Sequence, residues 1–242
     1  MTQQFRELMD EALSGLPVSL TDDQLSKFEK FYEDLTETNK VMNLTTITEM
    51  KEVVTKHFAD SLSVVLAMPE MTEKRLTVID IGTGAGFPGI PLAIAFPQLE
   101  LTLIDSLNKR IGFILNEAEK LGLNNIKAVH GRAEELARTD YREHFDLCVS
   151  RAVANLSTLS EYCLPFIHNH GYFIAYKSGE IAEELTDAGM ALHILGGETE
   201  NTIHFSLPDG YGDRALVVIR KTAPTPKKYP RKAGTPGKEP LR

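Results

Sequence analysis

The chain has 242 residues, 42% hydrophobic and 25% charged, which suits one large globular α/β domain with an appendage. No apolar run approaches the 18 or so residues of a membrane span, and the opening MTQQFREL has no signal-type apolar core, so a cytoplasmic protein is expected. The net charge of −8 is segregated: residues 220–242 carry eight Lys/Arg against one acid, a net +7, and the other 219 residues hold 18 basic and 33 acidic groups, a net −15. That asymmetry points to a large polyanionic partner.

Residues 1–70 read as a helical extension. Phe5, Leu8, Met9, Ala12 and Leu13 recur at helical spacing, and Thr21 with Gln24 makes a capping box ahead of Leu25, Phe28, Phe31, Tyr32 and Leu35. A third helix, with Thr48 as its expected cap, carries Val53, Val54, Phe58, Leu62 and Val65 and closes at Pro69. It also carries His57, Asp60 and Ser61 at a spacing of three and four, for which a structural histidine and a shared functional face both remain open. The link between the second and third helices, Val41 to Ile47, contains Asn43, Thr45 and Thr46, whose side chains serve either as local caps or as ligand contacts.

Leu76 to Phe96, LTVIDIGTGAGFPGIPLAIAF, predicts a buried parallel strand ending at Asp80 and Ile81, a glycine turn through Gly82, Gly84, Gly86 and Gly89, and a helix that ends at Pro97. Strand, glycine turn and helix start together suit a nucleoside-bearing cofactor. Asp80 is placed to accept from the loop's N–H groups or from a ligand amino group. A second strand, Leu99 to Ile104, delivers Asp105, whose carboxylate can take both ribose hydroxyls of either NAD or S-adenosylmethionine. A helix then runs to Gly122, with Ser106 as its expected cap and Asn108, Lys109 and Arg110 in its first turn. Cations there oppose the helix dipole, which leaves an anionic contact or plain solvation. Strand three, Ile126 to His130, leads into Gly131-Arg132-Ala133-Glu134, where the Ala133 amide and Glu134 can meet an adenine.

Strand four, Phe145 to Val149, ends in Ser150-Arg151-Ala152, and strand five, Gly171 to Lys177, ends in Lys177-Ser178-Gly179. Arg151 and Lys177 therefore arrive at the ligand crevice, where each needs a carboxylate or a phosphate. Helices are expected over 155–167 and 180–188, and strands over Ala191 to Leu195, Thr202 to Leu207 and Ala215 to Arg220. The last two strands have no helix between them, so they pair antiparallel. Five βα units followed by such a hairpin describe a Rossmann-like S-adenosylmethionine-dependent methyltransferase domain, here residues 71–222, rather than a dehydrogenase. Cys148 and Cys163 read as buried core residues, and the seven histidines show no zinc spacing.

Residues 223–242 form a basic tail. Prolines at 224, 226, 230, 236 and 240 exclude a regular helix or central strand, and no apolar periodicity offers a face to bury. A poorly ordered polyanion-binding arm is expected, with Lys227, Lys228, Arg231 and Lys232 joining Asn43, Lys109, Arg110 and Lys177 as groups that would face its phosphates, RNA by the resemblance given next. An inert extension is the competing reading.

Taken together, Asn43-Leu44-Thr45, His57-Phe58-Ala59-Asp60-Ser61, DIGTGAGFPGIPLAI, Asp105-Ser106-Leu107-Asn108-Lys109-Arg110, Gly131-Arg132-Ala133-Glu134, Ser150-Arg151-Ala152-Val153-Ala154 and Tyr229-Pro230-Arg231 with Gly234-Thr235-Pro236 are highly specific. Carrying them, the chain resembles, nearly end to end, the bacterial small-subunit (16S) ribosomal RNA guanine-N7 methyltransferase G family, formerly glucose-inhibited division protein B. The resemblance implies an α/β methyltransferase with a seven-stranded sheet whose last strand is antiparallel, S-adenosyl-L-methionine as cofactor, and 7-methylguanosine in a decoding-centre loop as product. It also implies that Gly82, Phe87, Ala133, Glu134 and Arg151 contact the cofactor, alongside Asp80, Gly84, Gly86 and Asp105 from the residue reading. Guanine N7 has a lone pair outside the π system, so no general base is required and positioning carries catalysis. Arg151 is the expected catalytic residue, more important to turnover than to folding. A monomer without metal is expected. The alternatives are a cofactor-sensing RNA-binding or cell-division regulator and a small-molecule or protein methyltransferase.

Overall fold

The computed structural model spans residues 1–242 and has a seven-stranded sheet of order β3-β2-β1-β4-β5-β7-β6. Its strands are β1 (Thr77–Ile81), β2 (Glu100–Asp105), β3 (Ile126–His130), β4 (Phe145–Arg151), β5 (Ile167–Ser178), β6 (Gly197–Ser206) and β7 (Asp213–Lys221). The first five are parallel; β7 runs antiparallel between β5 and β6. Central strands are apolar on both faces because each face is covered. Val78, Leu101, Leu103, Leu147 and Val149 enter one core, and the alternating Ile79, Ile81, Ile104 and Cys148 enter the other. Both cysteines are free and buried.

Helices α1 (Gln3–Leu13) and α2 (Asp22–Met42) pack in the first core with α5 (Gly89–Ala95) and α6 (Asn108–Lys120). The Thr21 capping box forms, and its Gln24 amide also donates to the Ile94 and Ala95 carbonyls that end α5. Phe31 lies at the centre of an aromatic cluster, with ring centroids 5.7 Å from Phe58, 5.4 Å from Phe87 and 6.4 Å from Phe113. The N-terminal helices and the sheet thus share one core. The second core is covered by α7 (Ala133–Leu136), α8 (Leu156–Cys163) and α9 (Ala182–Leu195).

Several sequence expectations change. The third helix is not continuous: α3 (Met50–Val53) passes into a π-helical turn, Val54–Ala59, then α4 (Asp60–Leu62) and 3-10 turns at Ser63–Leu66 and Pro69–Thr72. Its cap is Glu49, whose carboxylate accepts from the Glu52 amide, instead of Thr48. Ser106 does not cap α6: the cap position falls one residue later, at Leu107, which offers no side-chain acceptor. Residues 191–195 end α9 and form no strand. Ala188, Ala191, Leu192 and Leu195 follow a helical period, and Gly196 at φ 79° supplies the left-handed stop.

The largest correction concerns the tail, which is ordered against the body. Thr225, Tyr229, Pro230 and Pro236 are buried, and a short helix α10 spans Thr235–Lys238. Arg142 donates to the Tyr229 and Thr225 carbonyls at 2.9 and 2.7 Å, Glu143 accepts from the Thr225 amide at 2.7 Å, and Glu161 accepts from the Arg231 amide at 2.6 Å. A proline-rich segment needs no ladder when side chains of the body satisfy its backbone.

Candidate active site

The carboxyl ends of β1 and β4 flank the point where strand order reverses, the position at which open α/β sheets bind ligands. A cleft of about 400 Å³ opens there, lined by Gly82 after β1, Asp105 after β2, Ala133 and Glu134 after β3, and Val153 and Asn155 after β4. The glycine turn is stiffened from beneath. Asp80, 1% exposed, accepts from the Gly89 amide at 3.0 Å, while Gly82 and Thr83 donate to the Ile104 carbonyl. At Gly82 (φ 74°) a Cβ would lie 2.5 Å from a Val153 methyl, so a side chain there would close the cleft floor. At Gly84 (φ 62°) a Cβ would meet nothing within 4 Å, leaving the turn's outer edge bare for a ligand.

The donor and acceptor set matches an adenosyl group. Asp105 is 3% exposed; its Oδ2 accepts from Gly84 N at 3.0 Å and Arg110 Nη1 at 3.1 Å, and its Oδ1 accepts from Leu107 N at 2.8 Å. An aligned carboxylate with spare lone pairs suits a ribose diol. Across the cleft, Glu134, 5% exposed, offers a carboxylate acceptor beside the Ala133 backbone, the pairing an exocyclic amine and ring nitrogen require.

A second cleft of about 660 Å³ adjoins the first and shares Ala154 and Asn155 with it. Its floor is an ion network. Arg151 Nη1 donates to Asp60 Oδ2 at 2.7 Å and to the Lys56 carbonyl at 3.1 Å, and Arg214 Nε stands 3.3 Å from Asp60 Oδ1. Arg151 Nη2 donates to His57 Nδ1 at 3.3 Å. A guanidinium only donates, so Nδ1 accepts, and the proton on Nε2 goes to Thr45 Oγ1 at 2.9 Å. The His57 ring stacks on Phe87 at 4.5 Å. Burial first, and then the Arg151 charge, push its pKa down to about 3, so the imidazole is neutral at physiological pH. His57 and Asp60 belong to the π-helical turn and its exit, and both reach Arg151 at the end of β4. Immediately after Arg151 the chain turns at Ala152 with φ 57°, a left-handed conformation that alanine adopts only under constraint.

The sequence-predicted residues thus divide. Gly82, Asp105, Ala133 and Glu134 line the first cleft, and Arg151 and Lys177 the second. Asp80 and Gly86 lie behind the turn, and the Phe87 ring is buried against Phe31, Phe58 and His57. Lys177 is paired with Glu184 and the Ala154 carbonyl, Arg110 with Asp105, and Arg231 with Glu161, so none of these three cations is free. Lys109, Lys227, Lys228 and Lys232 are exposed. Asn43 is the left-handed C-cap of α2 at φ 50°, also exposed. Sequence reasoning missed Thr158, Tyr162 and Gly237 on the first cleft and Arg214 on the second, because each comes from an element remote in sequence.

Two buried titrating groups make a pH prediction with opposite signs. Burial raises Asp80 to about 7, so between about 4 and 7 the folded state holds a proton the unfolded chain has lost, and stability falls as pH rises. His57, at about 3 when folded, is bare where the unfolded chain is protonated, and stability rises with pH up to its ordinary value of 6.5. The two slopes nearly cancel in the intact protein. Denaturant titrations from pH 4.5 to 6.5 should show His57→Asn losing stability as pH rises and Asp80→Asn gaining it, each by about 1.4 kcal/mol per pH unit at most. Parallel profiles for both variants would refute the assignment.

Comparison with known proteins places these features. Residues 24–216 match the family model described as rRNA small subunit methyltransferase G. The chain is 52% identical over 232 residues to the ribosomal RNA small subunit methyltransferase G of Lachnoclostridium phytofermentans, covering 96% of this chain and 95% of that one. With that of Staphylococcus saprophyticus it shares 48% identity over 96% and 97% of the two chains. Among solved structures it resembles M. jannaschii TYW2 in complex with AdoMet (TM-score 0.52, 13% identity, 66% of this chain and 74% of that one). It also resembles a ribosomal protein L11 methylase from Lactobacillus delbrueckii (TM-score 0.51, 19% identity, 69% and 79%). The structural likenesses concern the fold.

Proposed function

The chain belongs to the rRNA small subunit methyltransferase G family, and from that premise we propose that it methylates N7 of a guanine in the decoding-centre loop of 16S ribosomal RNA. It is a methyltransferase, and S-adenosylmethionine is its cofactor, supplying when bound an electrophilic sulfonium methyl. No helix of the chain is long and apolar enough to cross a membrane. The observation that carries the reading is the junction of the two clefts at Ala154 and Asn155, one with an adenosyl-type donor set and the other with cations around Arg151.

In this reading Asp105 holds the ribose, Glu134 and the Ala133 amide hold the adenine, and the bare edge at Gly84 lets the backbone approach the rest. Arg151 is fixed by Asp60, the Lys56 carbonyl and His57, and it lines the second cleft, where its cation orients a carboxylate or an RNA phosphate. N7 attack releases no proton at the nucleophile, so the neutral His57 is a buttress for Arg151 and not a base. Positive charge shifts onto the purine as the methyl transfers, and Asp60 keeps the Arg151 cation from opposing it.

The direct test is incubation with radiolabelled donor and small ribosomal subunits from cells lacking the modification, naked 16S RNA, or ribosomal protein. Label recovered as 7-methylguanosine supports the assignment; label confined to protein overturns it. The tail keeps a role in RNA affinity through its exposed lysines. Replacing Lys227, Lys228 and Lys232 by alanine should flatten the slope of log affinity against log salt by roughly 2 to 3, as each phosphate contact contributes 0.7 to 0.9. An unchanged slope would move the phosphate contacts to Lys109 and the N-terminal helices.

A further inference from the structure

The ordered tail ends at the mouth of the cofactor cleft. Gly237 lines that cleft beside Thr158 and Tyr162. The Gly234 amide donates to Glu134 Oε1 at 2.8 Å, the carboxylate assigned above to the adenine. Two anchors hold the segment there. Arg231 grips Glu161, fully buried on α8, through its backbone amide and three guanidinium contacts of 2.7 to 3.1 Å. Thr158 Oγ1 donates to the Pro236 carbonyl at 3.1 Å. Gly234 takes φ 82°, a left-handed conformation that aims its N–H at Glu134.

We propose that residues 231–237 form a wall of the cofactor cleft, and that Arg231 and Gly234 are positioning residues that hold the Glu134 carboxylate toward the adenine. This rests on the reading of Glu134 as the adenine acceptor. A buried carboxylate with one oxygen fixed by a backbone N–H has its other lone pairs directed, and that preorganisation lowers the cost of binding. The tail that supplies this wall also carries the exposed Lys227 and Lys228 just before it and Lys232 within it.

Gly237→Leu and Arg231→Lys test the proposal in the full-length protein. A Cβ at Gly237 meets only the Tyr162 hydroxyl, at 3.5 Å, so leucine is accommodated by the fold but narrows the cleft. Arg231→Lys keeps the charge opposite Glu161 and loses the two-pronged grip. Calorimetry should give each variant a Kd for S-adenosylmethionine raised about tenfold. KM for the cofactor should rise with kcat little changed, and the melting temperature of Gly237→Leu should stay at the parent value. In a Glu134→Ala background, Arg231→Lys should cost nothing further. Parent-like Kd values in folded Gly237→Leu would overturn the wall, and additive losses in the double variant would overturn positioning through Glu134. Parent protein that binds no S-adenosylmethionine would instead overturn the cofactor reading on which both depend.

Discussion

Replacing Arg231 by alanine is expected to lower the melting temperature by roughly 10 °C, the largest stability effect of any single change in the tail. Glu161 is completely buried within α8, and Arg231 supplies both its counter-charge and its hydrogen bonds. Removing one partner of such a pair leaves an uncompensated carboxylate, at a cost of about 3 to 5 kcal/mol. Replacing both partners by apolar residues removes the charge along with its need. The Arg231→Met/Glu161→Leu pair should therefore recover most of the lost stability while leaving the tail looser. Thermal unfolding of the two variants decides the matter: equal losses would show that the unpaired Glu161 charge is not the cost, and a small loss in both would show that the tail is held elsewhere, for example by Arg142 at the Thr225 and Tyr229 carbonyls.

Arg151→Ala should reduce methylation by about 10²- to 10³-fold, the range for losing one preorganised charged donor in a site. It should also destabilise the protein, so the role expected to matter more in turnover than in folding carries a stability cost as well. Asp60 is 3% exposed and loses its hydrogen-bonded partner, although Arg214 remains 3.3 Å away, so the cost should fall below the Arg231 case, at roughly 2 kcal/mol. His57 should report the change independently. The Arg151 charge is the second cause holding its pKa low, and NMR titration should find it moved upward in the variant. Adding Asp60→Asn should restore much of the stability and none of the turnover. Recovery of both together would reduce Arg151 to a structural residue.

The chain's own pattern was enough for the sheet's order of events. Short, largely apolar stretches that deliver Asp80, Asp105 and Arg151 read as strands buried on both faces, and the glycine turn with a helix behind it marks the crevice. Local chemistry was equally readable where partners are near in sequence, as with Thr21 and Gln24 or the stop at Gly122. Short-range signals failed where two explanations shared one composition. Ala191 to Leu195 reads as apolar strand until its phase with Ala188 is counted, and Ser106 reads as a cap although the helix begins one residue further on, with Leu107 in the cap position.

The sequence by itself determined the fold class and the family, because each rests on motifs whose residues are close together along the chain. Only the tertiary structure decided which charges are free. Arg231 is read from composition as a cation for RNA, yet it is committed to Glu161, 70 residues away, just as Arg151 is to Asp60, 91 residues away. Periodicity carries no information about such pairs, since whether a charge is solvated or paired depends on what the folded chain brings beside it. For the same reason the tail, disordered by every compositional measure, is fixed: its backbone bonds are made to Arg142, Glu143, Glu161 and Glu134, groups that come together only once the sheet and α8 have formed.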